Sequence, residues 1–513
     1  MSRVFSFEKM SLKGAFPWFG AGMALLFFIS LGLRFWGLGR FNALVFDEVY
    51  YANFARGFLQ GKQEFGGHPP LSSYFIAFGI WVGERMGWGA DNTRNTLTGM
   101  FLSTVSYRWM NALIGAFFPL VVGAIALQLT HRRLYAIIAT FLAALDGLFL
   151  VESRYALNNI YLVLLGLLGQ LFLLLALNHL RQRALARESG LPRPQSLFLW
   201  LWLVLAGVGF GGAIAIKWNG AAFLLGAIAL WVLAWAVALL NRILSPARQI
   251  NLGSASPLAY LSRLHLGHGA IAFGLIPALT YWMSWWPYLN LGPNYSFWSW
   301  QKEILSYHSR VGGFDAHQYC SHWYTWPLMQ RPVAYFYQTV TVGQTPPPEL
   351  NVVPPPQLAE AIYDVHAMGN PILWWFATLG IVLSIGALVY FLWQQVRVSA
   401  REPGETLVMN PWQLDAWPLL FLVVNWGANL LPWVKVTRCT FIYHYMGALV
   451  FTLLAIALWI ERAFYSPSVW HRRFAIATLI LIGMGFLFWL PLFLGLPLSP
   501  AEIQMRRWFM SWI

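Results

Sequence analysis

Along this chain, apolar residues repeatedly run for about twenty positions with almost no charged interruption, the length needed to cross the hydrocarbon core of a bilayer as a helix. The pattern predicts spans near 17–37, 107–129, 133–151, 158–178, 197–216, 220–241, 268–289, 371–394, 415–434, 439–460 and 474–496. That is a set of about eleven transmembrane helices. A shorter apolar run, Leu71 to Val82, predicts a helix lying along the membrane surface. Two long intervals, 38–106 and 290–370, separate the spans and are where function should concentrate. The second holds Pro346-Pro347-Pro348 and Pro354-Pro355-Pro356, which favour extended backbone and predict a semi-rigid lid.

Composition agrees with the pattern. Of 513 residues, 58% are hydrophobic, 17% aromatic and 10% charged, which excludes an ordinary soluble assembly and implies an all-α polytopic membrane protein. The first apolar stretch follows Arg3, Lys9 and Lys13 as a signal sequence would, but its length and the spans after it predict a retained helix. Basic residues alternate between loops. One side carries His131, Arg132, Arg133, Arg181, Arg183, Arg187, Arg193, Arg242, Arg248, Arg263, Arg397, Arg401, Arg462, Arg472 and Arg473. The short loops of the other side carry only Arg154, Lys217, Lys435 and Arg438, which predicts a cytoplasmic N-terminus and an external C-terminus. Much of the formal charge of +14 is thus a topology signal and not a nucleic-acid surface.

The candidate chemistry gathers on the external side. Asp47 and Glu48 stand just after the first span, where carboxylates are costly unless they face a polar cavity or simply end the helix in water. Arg108 opens the second span, Glu152-Ser153-Arg154 joins the third and fourth, Lys217 joins the fifth and sixth, and Lys435, Arg438 and Tyr443-His444-Tyr445 flank the tenth. Basic residues at helix ends also snorkel toward water, so each alone is ambiguous. As a set, acids and bases beside lipid suit cleavage of an anionic lipid carrier, with cations on the departing phosphate and a carboxylate taking a proton.

These residues resemble the protein O-mannosyltransferases, a family of GT-C membrane glycosyltransferases. The likeness lies in Phe46-Asp47-Glu48-Val49-Tyr50, His68-Pro69-Pro70-Leu71, Tyr107-Arg108, Leu145-Asp146-Gly147, Ser153-Arg154 and Lys217-Trp218-Asn219-Gly220. It continues through Glu303 to His308, Trp326-Pro327-Leu328 with Arg331-Pro332, Gly369-Asn370-Pro371 with Trp374-Trp375, and Arg438 with Phe441 to Tyr445. The resemblance implies inverting transfer of mannose from a polyprenyl-phosphate carrier to Ser or Thr hydroxyls, with Asp47 as catalytic base and Glu48 positioning the acceptor or tuning that base. No cofactor or metal is required, because phosphate is already a good leaving group.

Arg154, Arg438 and Lys217 are the candidates for the donor phosphate. Arg108 matches a family arginine but could equally lock helices by pairing with Asp47 or Glu152. His68 before two prolines either orients the acceptor or stabilises a turn, and His444 has the same ambiguity. The aromatic stripe with Tyr443 reads as an interfacial belt or as substrate contact. Where many relatives carry an aspartate early in the fourth span, this chain has Asn158 and Asn159. The interval 290–370 is too short for the β-trefoil MIR domain of eukaryotic relatives, so the chain looks like a bacterial form of the plasma membrane using a polyprenyl carrier. Translocon association is a further expectation.

The chain divides into an N-terminal transmembrane catalytic module (1–289), an external lid (290–370) and a C-terminal four-helix module (371–513). Cys320 and Cys439, the only cysteines, fall on the external side, where a disulfide and two free thiols are both open. Gly207 to Gly212 fit close helix packing better than phosphate cradling. A GT-C transferase acting on a lipid or glycan, such as an aminoarabinose transferase, is the second reading. A transporter of an amphiphilic anion is the third, weakened by the lack of an internal repeat.

Overall fold

The computed structural model describes residues 18–64, 66–88, 102–192, 194–244, 257–292, 295–341, 343–352, 354–398 and 415–512. Arg3, Lys9, Lys13, Arg193, Arg248 and Arg401 lie outside them. The first apolar run forms α1 (Trp18–Phe35). Two shorter helices, α2 (Glu48–Leu59) and α3 (Leu71–Arg85), precede the long α4 (Thr104–Thr130). At 15 residues α3 spans roughly 22 Å, too short to cross, as expected of the surface run.

The stretch expected to cross at 133–151 is divided. Helix α5 (Arg133–Ala144) stops at Leu145-Asp146, and α6 (Gly147–Glu152) begins anew. Asp146 causes the break: its carboxylate accepts the Phe149 backbone N–H at 3.0 Å and the Trp374 indole N–H at 2.6 Å, so it caps a new helix instead of continuing the old one. Ten helices among the described residues are therefore long and apolar enough to cross a membrane, and the eleventh predicted span is replaced by this broken pair.

Helices α7 (Asn159–Glu188), α8 (Ser196–Ile216) and α9 (Ala221–Ile243) follow. A Cβ on Gly209 of α8 would lie 2.6 Å from the backbone nitrogen of Gly169 on α7. Lipid offers little hydrophobic drive between helices, so such close backbone approach supplies the van der Waals contact that holds them. The short α10 (Pro257–Leu261) and α11 (Leu266–Gly269) lead through a π-type turn into α12 (Ile276–Leu289).

The interval expected to be a proline lid folds differently. It contains α13 (Phe297–Arg310) and a hairpin of β1 (Val333–Thr341) and β2 (Glu360–Ala367), and both proline runs lie in the connection between the two strands. After α14 (Pro371–Val398), α15 (Ala416–Leu430), α16 (Met446–Phe464) and α17 (Val469–Leu494), a short β3 (Pro497–Leu498) returns to the other side of β2, and α18 (Pro500–Arg506) follows. The three-stranded antiparallel sheet, ordered β1-β2-β3, is an addition to the expected all-helical fold. Val333 faces Ala367 and Thr341 faces Glu360, with the register interrupted between Ala334 and Phe336 so that Tyr335 sits in a bulge.

The hairpin is tied to both halves of the chain. Phe41 bridges to Leu350, the Asn42 N–H donates to the Glu349 carbonyl at 2.8 Å, and the Asn351 N–H donates to the Arg40 carbonyl at 2.9 Å. Trp512, almost fully buried, donates its indole N–H to the Met329 carbonyl at 2.9 Å. Cys320 and Cys439 form a disulfide that joins the segment before β1 to the segment before α16. At the opposite end of the helices, Arg132 pairs with Glu461 at 2.9 Å and with Asp415 at 3.4 Å.

The disulfide closes a loop with a sequence separation of 119. On the chain-entropy account a closure near that length stabilises by about 4–5 kcal/mol. Cys439→Ser should therefore lower the thermal unfolding midpoint of detergent-solubilised protein, and adding reductant should lower that of the wild type but not of the variant.

Candidate active site

Asp47 and Glu48 are adjacent, yet the backbone sends them in different directions. Phe46, immediately before them, has φ of 52°. A bulky residue in this left-handed region costs of order 1–3 kcal/mol and persists only when its surroundings impose it. Its ring is held between Tyr335, stacked with centroids 4.4 Å apart, and the edges of Phe441 and Tyr443.

Glu48 is fully buried and bound on every side. It accepts the Val45 and Ala156 backbone N–H groups, each at 2.8 Å, and Arg108 donates Nε at 2.8 Å and Nη2 at 2.7 Å. Arg108 uses its remaining donors on the carbonyls of Leu38, Phe41 and Ala43. The expectation that Glu48 positions the acceptor is corrected: four donors occupy its two oxygens, and it does not line the cavity that Asp47 faces. Arg108 takes the structural role left open for it, with Glu48 as its partner instead of Asp47 or Glu152.

Arg154 is corrected in the same way. Its guanidinium donates to the carbonyls of Leu33, Arg34, Trp36 and Gly37 at 2.7, 3.1, 2.8 and 3.3 Å, closing the end of α1. Lys435 is exposed and stands outside the cavity wall. The remaining cations, Lys217 and Arg438, do face Asp47 across a cavity of about 350 Å³, within the usual size range of small-ligand sites.

The Asp47 carboxylate occupies the N-cap position of α2 without capping it, so its oxygens remain available to the cavity. Burial pushes it up to about 6, opposed by the charge of Lys217. Lys217 lies in the extended break between α8 and α9, where burial brings it down to about 8 against the pull of Asp47 and Glu152. Its ammonium donates to Asn159 Oδ1 at 3.1 Å and Asn158 Oδ1 at 3.4 Å and stands 5.4 Å from the Tyr443 ring centroid. Asn159 is thus behind the wall as a positioner, donating its own amide N–H to Glu152 Oε2 at 3.1 Å. Arg438 engages the Cys439 carbonyl through Nη1 at 3.0 Å. With one arm so occupied, the rest of its planar fork suits a phosphate oxygen.

Four imidazoles complete the polar lining: His68, His308, His317 and His444. Burial first, then the nearby cations, holds His68 well below the ordinary histidine value and brings His308 down to about 4. Both are neutral at pH 7, so they offer one donor and one acceptor to hydroxyl groups instead of a third and fourth positive charge. Their rings lie 5.3 Å apart. His444 accepts the Phe441 backbone N–H on Nδ1 at 3.1 Å, and its ring lies 4.7 Å from those of both Trp433 and Tyr443.

Sequence reasoning assigned no role to Tyr307, His308 or His317, which also line the cavity. Tyr307 and His308 continue α13 beyond its buried Trp300 and Ile304, so the helical period carried a usable signal. Gly67, at φ 65°, permits the approach of Tyr307: a Cβ there would lie 2.6 Å from its ring.

The site sits in a chain whose residues 24–289 match the family model for dolichyl-phosphate-mannose-protein mannosyltransferase, and whose residues 293–512 match that for the C-terminal four TMM region of protein-O-mannosyltransferase. The chain belongs to the protein O-mannosyltransferase family. Among curated relatives, the polyprenol-phosphate-mannose--protein mannosyltransferase of Mycolicibacterium smegmatis strain MKD8 is 25% identical, over 91% of this chain and 87% of that one. Its counterpart in Mycobacterium tuberculosis is 24% identical, over 96% and 92%. The Saccharomyces cerevisiae protein O-mannosyltransferase Pmt1-Pmt2 complex bound to the sugar donor shares the fold, with a TM-score of 0.71, 12% identity and coverage of 98% and 93%. Of the three readings open from sequence, family membership selects the mannosyltransferase. It is a multi-pass membrane enzyme of the GT-C glycosyltransferase fold.

Two outcomes separate the adjacent acids. Asp47→Asn should retain the wild-type melting temperature in detergent while transfer falls at least a hundredfold, on the order expected for loss of a general base. Glu48→Gln should instead cost about 3–5 kcal/mol of stability, because it leaves the Arg108 charge buried and uncompensated. In pH profiles, transfer should need Asp47 ionised and Lys217 protonated. Activity should therefore rise through about 6 and fall through about 8.

Proposed function

We propose that this cavity transfers mannose from a polyprenyl-phosphate carrier to Ser or Thr hydroxyls of polypeptides. The observation that carries the reading is the placement of one free carboxylate opposite two cations within a single pocket. In this reaction the Asp47 carboxylate takes the hydroxyl proton as the oxygen forms its bond to the anomeric carbon. The bond from that carbon to the phosphate oxygen breaks, and the polyprenyl phosphate leaves with its electron pair toward Lys217 and Arg438. Attack from the face opposite the phosphate inverts the carbon, so a β-linked donor yields an α-linked mannoside, with the base placed as in the base half of an inverting glycosidase.

The proposal calls on no cofactor, because the carrier phosphate is a stable anion once released and the two fixed cations oppose its charge as it develops. His68 and His308, held neutral, are positioned as hydrogen-bonding partners for sugar or acceptor hydroxyls. A pocket of about 350 Å³ suits one sugar and an extended peptide, so the acceptor is read as unfolded chain, as it would be on leaving a translocon.

The membrane reading places the cavity outside a bacterial plasma membrane and the N-terminus in the cytoplasm. Arg132, Arg181, Arg242, Arg263 and Arg462 lie at the helix ends away from the cavity, in accord with the positive-inside rule. The Cys320–Cys439 disulfide lies on the cavity side, where an oxidising compartment would preserve it.

Purified enzyme in proteoliposomes, given mannosyl-phosphoryl-polyprenol and a Ser/Thr-rich peptide, should produce α-mannosylated peptide. Labelling of added lipid or glycan with the peptide unmodified would reject the proposal. Arg438→Ala should raise the donor KM by about 10–100-fold, the range for a lost hydrogen bond to a charged group.

A further inference from the structure

One tyrosine behind the cavity wall touches both the base side and the phosphate side of the site. Tyr335 occupies the bulge of β1, where two residues oppose one on the partner strand and the side chain is re-aimed out of the regular ladder. Its ring stacks on Phe46 at 10° between planes. Its hydroxyl donates to Glu152 Oε1. Glu152 is fully buried and accepts Asn159 Nδ2 on its other oxygen, and Asn159 in turn accepts the Lys217 ammonium. None of Tyr335, Glu152 and Asn159 lines the cavity, yet their contacts run unbroken from the residue beside Asp47 to Lys217.

We propose that Tyr335 is a positioning residue for sugar transfer: its ring fixes the left-handed backbone that presents Asp47, and its hydroxyl, through Glu152 and Asn159, holds Lys217 beneath the donor phosphate. The inference rests on the reading of the cavity as the mannosyl-transfer site. Strand β1 thereby has a task beyond covering the site, because a regular strand without the bulge would pair residue 335 into the ladder.

The charges explain why the hydroxyl matters. Lys217 faces Asp47 and Glu152, with Arg438 opposing them and the His68, His308 and His444 imidazoles around it. Glu152 faces Lys217 and Asp47, and the Tyr51 and Tyr443 rings lie within its field. Burial pushes Glu152 up to about 7, and the Tyr335 and Asn159 donors oppose that rise. Without the hydroxyl, Glu152 takes up a proton at higher pH and loses its negative charge near neutrality. Lys217, deprived of that partner, then gives up its proton at lower pH.

The test compares wild type, Tyr335→Phe, Lys217→Arg and the double variant as full-length protein in proteoliposomes, with mannosyl-phosphoryl-polyprenol and a Ser/Thr-rich peptide. Tyr335→Phe keeps the ring against Phe46 but leaves buried Glu152 one donor short, so the variant should stay folded with a melting temperature lower by only a few degrees. Its donor KM should rise about tenfold, and the alkaline limb of its pH profile should move down by about one pH unit. In the Lys217→Arg background the same change should leave the alkaline limb unmoved, since a guanidinium stays charged throughout. Tyr335→Leu, which also removes the ring, should lower kcat beyond the phenylalanine variant. An unaltered limb and donor KM in Tyr335→Phe, or an equal limb shift in the arginine background, would overturn the inference. Failure of the wild type to transfer mannose would instead remove the reading of the cavity on which it rests.

Discussion

The Arg108–Glu48 pair is the constraint on which the site depends. Both side chains are fully withdrawn from solvent, where neither charge could persist without the other. Arg108 reaches the carbonyls of Leu38, Phe41 and Ala43 as well as Glu48, and Glu48 reaches Val45 and Ala156. Such a buried pair contributes little net stability over an apolar substitute. Its effect is on specificity, because only one path of the backbone between α1 and α2 satisfies so many donors and acceptors together. That path, with Tyr335 stacked on the Phe46 ring, holds Phe46 in its left-handed conformation and leaves Asp47 facing the cavity. The acid that is not used chemically thus fixes the position of the acid that is.

The cavity then solves an electrostatic problem. A site for a lipid phosphate needs positive charge, but surplus cations would strip the proton-accepting power from Asp47. Only Lys217 and Arg438 among the lining groups carry fixed positive charge, while the His68 and His308 imidazoles are kept neutral by burial and by those same cations. Asn158 and Asn159 fit this balance. They accept from Lys217 without adding a further negative charge beside it.

Much of the fold was legible because membrane burial imposes a long and simple pattern: apolar length marks a span, and basic loops mark its side. The exceptions have local causes. Asp146 divided one predicted span because its carboxylate caps a helix and binds Trp374, an interaction between distant segments that hydropathy does not register. The hairpin was missed because its proline runs dominated the reading of 290–370, whereas its strands flank them. In the site, Asp47, Lys217, Arg438, His68, Tyr443 and His444 were all found from sequence and all reach the cavity. Glu48 and Arg154 were misassigned because residue type and proximity along the chain cannot reveal their partners: the Arg108 side chain with two backbone N–H groups for Glu48, and the carbonyls at the end of α1 for Arg154. Tyr335 left no signal, since a bulge depends on register with the partner strand, which the residues around it do not reveal.

The place of β3 has a consequence for biogenesis. Strand β2 is central, with β1 on one side and the short β3, which follows α17 in the chain, on the other. Trp512 then seals against Met329, beyond the last long helix. Asp47 emerges from the ribosome early, yet the sheet whose bulged strand supports Phe46 is completed only after α17 has been inserted. A nascent chain stalled before that point would hold its carboxylate and its cations beside a sheet that still lacks its third strand.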